Sequence, residues 1–122
     1  MRRAIAVVIT VLALGVSARD AIADGSAKEV AASCRELFKP NPSKSFDAGL
    51  CIGSFTTIHA LSAVVDQNRA PLLGFCRPPG VDFTELVRVF MRHVDSHPQS
   101  AQTYYAIEAI NALVDAYPCK KG

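Results

Sequence analysis

The spacing of the apolar residues decides the fold class of this chain of 122 residues. In four segments apolar side chains recur every three or four positions, which is the period of an amphipathic helix and not the alternation of a strand. Prolines follow these segments, and a proline ends a helix because it has no backbone N–H to donate. The sequence therefore predicts a small all-α domain of four helices, arranged as two helical hairpins.

The predicted helices cover residues about 27–38, 47–66, 82–97 and 100–117. The third has the clearest start, because Asp82 can cap it, Glu85 can reach back as the reciprocal partner, and Val81 can pack on Leu86.

Glycines and prolines mark two further features of the helical region. Gly49 and Gly53 lie one turn apart in the second helix, and glycine costs about 1 kcal/mol in a helix interior. The pair therefore predicts room for a neighbouring helix to approach closely. The longest irregular stretch, residues 67–80, contains three prolines and two glycines and is the natural candidate for a functional loop.

The first residues have the pattern of an export signal. Met1-Arg2-Arg3 is a basic start, residues 4–16 carry no charge, and Ala21-Ile22-Ala23 places small residues where a signal peptidase needs them. The apolar run is shorter than the roughly 20 residues that span a bilayer, which argues against a retained anchor. We predict a signal peptide over residues 1–23, cleavage after Ala23, and an exported helical domain over residues 24–122.

The exported part is expected to be electrically neutral. Cleavage removes three arginines and one aspartate from 13 basic and 11 acidic residues, which leaves ten of each. A neutral chain of this kind is not expected to bind nucleic acid or an anionic membrane, since both demand a basic surface. The signal peptide predicts a periplasmic protein with no membrane association after cleavage.

Four cysteines follow the predicted signal, and none forms a Cys-x-x-Cys pair. In an oxidising compartment this pattern favours disulfides over a metal site or a catalytic thiol. Three pairings are possible in principle. Cys34 and Cys51 lie at similar distances from the turn between the first two helices, while Cys76 precedes the third helix and Cys119 follows the fourth. The helix map therefore favours Cys34–Cys51 and Cys76–Cys119.

The sequence gives no positive sign of catalysis. His93 and His97 lie on one helix face, as two metal ligands would, but Val94 stands where a zinc hydrolase needs a general-base Glu. His59 lies among apolar residues and is interpreted as a core or partner-facing histidine. We predict that the protein is not an enzyme, has no catalytic residues, and binds no metal and no cofactor.

Several short motifs together resemble the Rap/Tai family of immunity proteins. They are Cys51-x-Gly53, Cys76-x-Pro78-x-Gly80-Val81, His97-Pro98, Ala112-Leu113 and Tyr117-Pro118-Cys119. The resemblance extends from about Cys34 to Cys119. It implies a periplasmic helical protein, usually a homodimer, that protects a bacterium from peptidoglycan amidases delivered by type VI secretion. Such a protein blocks the active-site cleft of a secreted cell-wall amidase and catalyses nothing.

The residues expected to contact a protein partner lie mainly in the predicted loop. An interface needs an apolar or aromatic anchor with a polar rim, and the candidates are Arg69, Leu72, Leu73, Phe75 and Tyr105. The alternative is that the loop residues fold back onto the helices. The alternative function is a small periplasmic helical chaperone or envelope-stress protein without a toxin partner.

Overall fold

A computed structural model of the chain describes residues 25–42 and 44–121. Within these ranges the α-helices are α1 (Ala27–Arg35), α2 (Phe46–Leu61), α3 (Phe83–Ser96) and α4 (Tyr105–Ala116), and 3-10 turns cover Glu36–Phe38 and Pro98–Ser100. The predicted all-α class is confirmed, since the described residues contain two isolated β-bridges but no strand. The predicted signal peptide lies outside the described residues.

Two disulfides tie the helices together in pairs. Cys34 of α1 is bonded to Cys51 of α2, with the Cα atoms 5.3 Å apart. Cys76, ahead of α3, is bonded to Cys119, behind α4, with the Cα atoms 4.9 Å apart. These are the two pairs that the helix map favoured. Each bond therefore joins consecutive helices and stabilises one helical hairpin.

The core lies between α1 and α3, each of which packs against the other three helices. Phe55 of α2 and Phe90 of α3 meet in the centre with ring centroids 5.3 Å apart. Both rings are fully buried, as is the Cys34–Cys51 disulfide. The remaining fully buried large side chains are Phe75, Leu86, Leu113, Val30 and Val87. The helices α2 and α4 flank this core.

Oxygen-bearing side chains cap three of the helices. Ser26, Ser45 and Asp82 accept hydrogen bonds from the backbone N–H three residues on, at 3.3, 3.2 and 3.0 Å. Each satisfies an N–H that the first helical turn leaves without a partner. The reciprocal half of the predicted capping box was wrong. The Glu85 carboxylate instead lies 3.5 Å from Arg88, one turn on, and 3.3 Å from Arg92, two turns on, along the surface of α3.

The Asp82 cap predicts a pH dependence of stability. Hydrogen bonds from the Thr84 hydroxyl and the Glu85 N–H hold the pKa of Asp82 below its ordinary value of 3.8. A carboxylate with a lowered folded-state pKa stabilises the protein above its unfolded pKa and stops doing so as pH falls through the folded pKa. Asp82→Asn keeps a capping oxygen without the charge. We expect wild type to lose more stability than Asp82→Asn between about pH 5 and pH 3, measured by urea unfolding; equal losses would contradict the prediction.

Helix α2 ends at Leu61, earlier than the predicted end near residue 66. After Leu61 the N–H groups of Ala63 and Val64 bond to carbonyls three residues back, and further on the Asp66 carboxylate accepts hydrogen bonds from the N–H groups of Asn68 and Ala70. Such local bonds offer the backbone an alternative to the helix. The connection from α2 to α3 therefore begins at Ser62 and is longer than predicted.

Helix α4 begins at Tyr105, later than the predicted start near residue 100. The carbonyls of Ala101 and Thr103 accept hydrogen bonds from the N–H groups of Lys28 and Ala27 at 3.0 and 2.8 Å. These are first-turn donors of α1 that have no partner within their own helix. Docking α1 therefore holds the segment ahead of α4 out of helical geometry.

The start of the described chain is packed closely against the same segment. Tyr105 N–H donates to the Gly25 carbonyl at 2.8 Å. A Cβ at Gly25 would lie 2.8 Å from Cε2 of Tyr104, so only glycine fits without a shift.

Candidate functional site: an exposed lobe and an apolar groove

The connection between α2 and α3 forms an exposed lobe, which we define as residues 63–74. Its two sides are joined by hydrogen bonds from Leu72 N–H to the Val64 carbonyl at 2.9 Å and from Asp66 N–H to the Ala70 carbonyl at 2.8 Å. Val65 and Pro71 form an antiparallel bridge between them. Residues 63–70 are all exposed. The lobe therefore projects from the helices with its own internal order.

Asp66 shapes the tip of the lobe. Its Oδ1 accepts from Asn68 N–H at 2.8 Å and from Ala70 N–H at 2.9 Å. Between them Arg69 has φ +63°, in the left-handed region that residues other than glycine rarely enter. Conformations of this kind persist where the surroundings enforce them, often in segments that bind ligands or partners. Arg69 is exposed and lies at the tip.

The structure divides the predicted contact residues between different environments. Arg69 and Leu72 are exposed on the lobe, Leu72 by 57%. Leu73 is partly buried against the core, and Tyr105 lies on α4 with its hydroxyl 3.1 Å from the Ser54 hydroxyl. The lobe and Tyr105 belong to separate surfaces.

Phe75 was wrongly predicted to contact a partner, because its side chain is fully buried. Gly74, at φ +76°, turns the chain inward. Cys76, which directly follows Phe75, is fixed by its disulfide and by a hydrogen bond from its N–H to the Tyr117 carbonyl at 2.9 Å. Phe75 thus anchors the lobe to the core. For this residue the alternative holds, in which the loop residues fold back onto the helices.

An open apolar groove of about 680 Å³ lies between α2 and α4. It is lined by Phe46, Gly49, Leu50, Gly53, Ser54, Thr57, Ile58, Tyr105 and Ala106. If a Cβ were added at Gly49 or Gly53, it would have no described atom of another element within 4 Å. The glycine pair was predicted to give a neighbouring helix room to approach closely, and no described helix does so: the pair faces the groove instead.

Large apolar side chains at the start of α2 and at the start of α4 are exposed. Phe46 is 85% exposed and Ile107 is 55% exposed. Tyr104 is 53% exposed and its ring tilts against Tyr105, with centroids 5.0 Å apart. Apolar surface gathered in this way commonly marks a protein contact.

His93 on α3 and His97, which directly follows this helix, are engaged within the fold. His93 Nε2 lies 3.0 Å from Glu108 Oε2, and only 11% and 9% of the two side chains is exposed. His97 stacks on His93 with centroids 4.2 Å apart, and its Nδ1 donates to the His93 carbonyl at 2.8 Å. Among the described residues no three His, Cys, Asp or Glu side chains are grouped as metal ligands. His59 is half-buried on α2.

Sequence reasoning missed Glu108. The available signal was its position, since it lies on the α4 face that also carries Tyr105, Ala109 and Ala112. A carboxylate on a buried face requires a partner, and the imidazole of His93 provides it.

No helix in the described part of the chain is both long and apolar enough to cross a membrane.

The helices, the two disulfides and the lobe define a small disulfide-bonded helical domain. A family model described as Rap1a immunity proteins matches residues 26–119, and the chain therefore belongs to the Rap1a immunity protein family. This confirms the resemblance seen in the sequence. Membership indicates an immunity protein directed against a secreted toxin, hence a protein partner, in a family that is typically non-enzymatic. Searches of curated proteins and of solved structures find no match to this chain.

Proposed function

We propose that this protein is a periplasmic immunity protein that inhibits a peptidoglycan amidase delivered by type VI secretion, and that it acts by occluding the active site without catalysing a reaction. The single observation that supports this most is the lobe, which is exposed along residues 63–70 and hydrogen-bonded within itself. An enzyme that cleaves a polymer needs an open cleft, and a projecting, ordered segment is suited to fill one.

The chemistry of the lobe suits such a contact. Leu72 and Val65 are 57% and 52% exposed, and they lie three residues after and four residues before Arg69 in the chain. Arginine is enriched among the interface positions that contribute most to affinity, and the exposed apolar area of Leu72 and Val65 would add a hydrophobic contribution when a partner buries it. A lobe that is already ordered loses little conformational entropy when it binds.

The periplasmic location rests on the predicted signal peptide and on the two disulfides. Disulfides persist in oxidising compartments such as the bacterial periplasm. The peptidoglycan that an amidase attacks lies in that same compartment, so inhibitor and toxin would meet there.

The proposed inhibition is tested with the mature protein and the purified secreted peptidoglycan amidases encoded by the same genome. Release of peptides from purified peptidoglycan is measured as the protein is added, with a muramidase as the control enzyme. We expect one amidase to be inhibited at about one equivalent and the muramidase to be unaffected. Failure to inhibit any amidase would contradict the proposal, and suppression of client aggregation at low pH would support the chaperone alternative.

We also propose that the protein forms a homodimer through the groove between α2 and α4. The occupant is a second copy, because the same face carries both the glycine-lined depression and the protruding Phe46 ring. A two-fold axis lets each copy insert Phe46 into the groove of the other, as a self-complementary interface requires. None of the lobe residues lines the groove, so a dimer leaves the lobe free for the toxin.

Gly53→Leu should dissociate the dimer. The leucine fills the groove, while replacing a helical glycine favours the helix itself. Ala60→Leu, at an exposed position of α2 outside the groove, is the matched control. In sedimentation equilibrium, wild type and Ala60→Leu should have twice the mass of one chain, and Gly53→Leu the mass of one chain. A monomeric wild type, or a dimeric Gly53→Leu, would rule out this interface.

A further inference from the structure

The side chain of Arg77 bridges the two ends of the connection between α2 and α3. Its Nε donates to the Ser62 hydroxyl oxygen and its Nη1 donates to the Val81 carbonyl, each at 2.7 Å. The Ser62 hydroxyl in turn donates to the His59 carbonyl at 2.6 Å, near the end of α2. A planar guanidinium presents several donors in fixed directions, so one arginine can hold two acceptors at once.

The positions of these acceptors give the bridge its effect. Ser62 is the C-cap of α2, and Val81 directly precedes the Asp82 cap of α3. The far end of the lobe is already fixed by buried Phe75 and by the Cys76 disulfide. The near end, at residues 62–64, is joined to α2 by backbone hydrogen bonds from Ser62 and Val64 to the Ile58 and Leu61 carbonyls. Arg77 adds a side-chain bond that ties Ser62 to the chain beyond the lobe.

Burial contributes little to the order of the lobe. Residues 63–70 are exposed, so few apolar contacts oppose local opening. Polar contacts must therefore determine its conformation, and the Arg77 bond to Ser62 ties the end of α2, where the lobe starts, to the segment that follows the lobe.

We propose that Arg77 is a positioning residue for partner recognition: by joining Ser62 to Val81 it holds the lobe in its binding conformation before the toxin arrives. This inference rests on the proposed function, in which the lobe enters the amidase cleft. Apparent affinity scales with the fraction of molecules already in the competent conformation. If loss of the bridge lowers that fraction to about one in ten, affinity falls about tenfold, and the fall appears in the association rate.

The first test uses the free protein and needs no partner. Amide hydrogen exchange is measured at Leu72 and Ala70, whose N–H groups are bonded within the lobe. In Arg77→Ala these amides should exchange roughly tenfold faster, while amides of α3 keep their rates. Ser62→Ala, which removes one of the two acceptors, should have a smaller effect. Arg88→Ala, on the surface of α3, is the control and should leave the lobe unchanged. Unchanged lobe exchange in Arg77→Ala would overturn the inference.

The second test measures association with the amidase identified by the inhibition assay. Arg77→Ala should associate about tenfold more slowly than wild type. Arg77→Lys should have an intermediate association rate, because lysine keeps the positive charge but cannot hold two acceptors with a planar guanidinium. Val94→Ala, a core substitution in α3, controls for general loss of stability and should associate at the wild-type rate. Faster lobe exchange with unchanged association would overturn the positioning role. If wild type inhibits no amidase, the proposed function fails, while the exchange data still decide whether Arg77 orders the lobe.

Discussion

A variant in which Cys76 and Cys119 are both serine should have a free energy of unfolding about 4 kcal/mol lower than wild type. The two cysteines are 43 residues apart, and closing a loop of that length restricts the unfolded chain strongly. Total stabilities of small domains are about 5–15 kcal/mol, so the loss is a large fraction of the whole. Cys76 is exposed and Cys119 half-buried, so serine introduces little buried polar surface at either position.

The measurement is urea unfolding of both proteins without reductant. Replacing both cysteines avoids a free thiol that would form intermolecular disulfides. The Cys34–Cys51 bond closes a shorter loop of 17 residues, for which the same model gives about 3 kcal/mol. Identical unfolding of variant and wild type would mean that the Cys76–Cys119 bond is absent from the secreted protein. A Cys34–Cys76 or Cys34–Cys119 peptide in non-reducing peptide mapping would mean the same.

Leu72→Asp should weaken amidase inhibition by about 30-fold or more, which is the size of effect that defines an interface hot spot. The side chain is 57% exposed, so the substitution should leave the unfolding transition nearly unchanged. The control is Ile52→Asp, which places the same charge at an exposed apolar position of α2 outside both the lobe and the groove. Equal inhibition by Leu72→Asp and wild type would exclude the lobe as the contact surface.

Arg69→Gly separates the role of the Arg69 backbone in shaping the lobe from a contact made by its side chain. Glycine adopts φ +63° without strain, so the tip should keep its shape while the guanidinium is lost. A drop in inhibition with unchanged amide exchange in the lobe would therefore assign the contact to the side chain itself.

The sequence predicted a helix end correctly where only residues near that end determine it. The start of α3 follows from Asp82, because a cap needs only one acceptor next to its own helix. The favoured cysteine pairs followed from distances to the helix ends, which depend only on the period and on the prolines. The class of fold was therefore predictable.

The candidate site was less predictable, because its features depend on contacts between distant residues. The start of α4 is set by backbone donors of α1, and the burial of Phe75 by a bond from Cys76 to Tyr117. The groove required knowing which face of α2 the core would use. Arg77 gave no signal in the sequence, since its two acceptors lie 15 residues before it and four after it.

The close packing of Gly25 against Tyr104 has a consequence for export. If the predicted leader is cut after Ala23, only Asp24 separates the scissile bond from Gly25, whose carbonyl accepts a hydrogen bond from Tyr105 N–H. Proteases act on locally opened, extended backbone. Processing should thus precede the docking of α1, so that maturation and completion of the fold occur in a fixed temporal order.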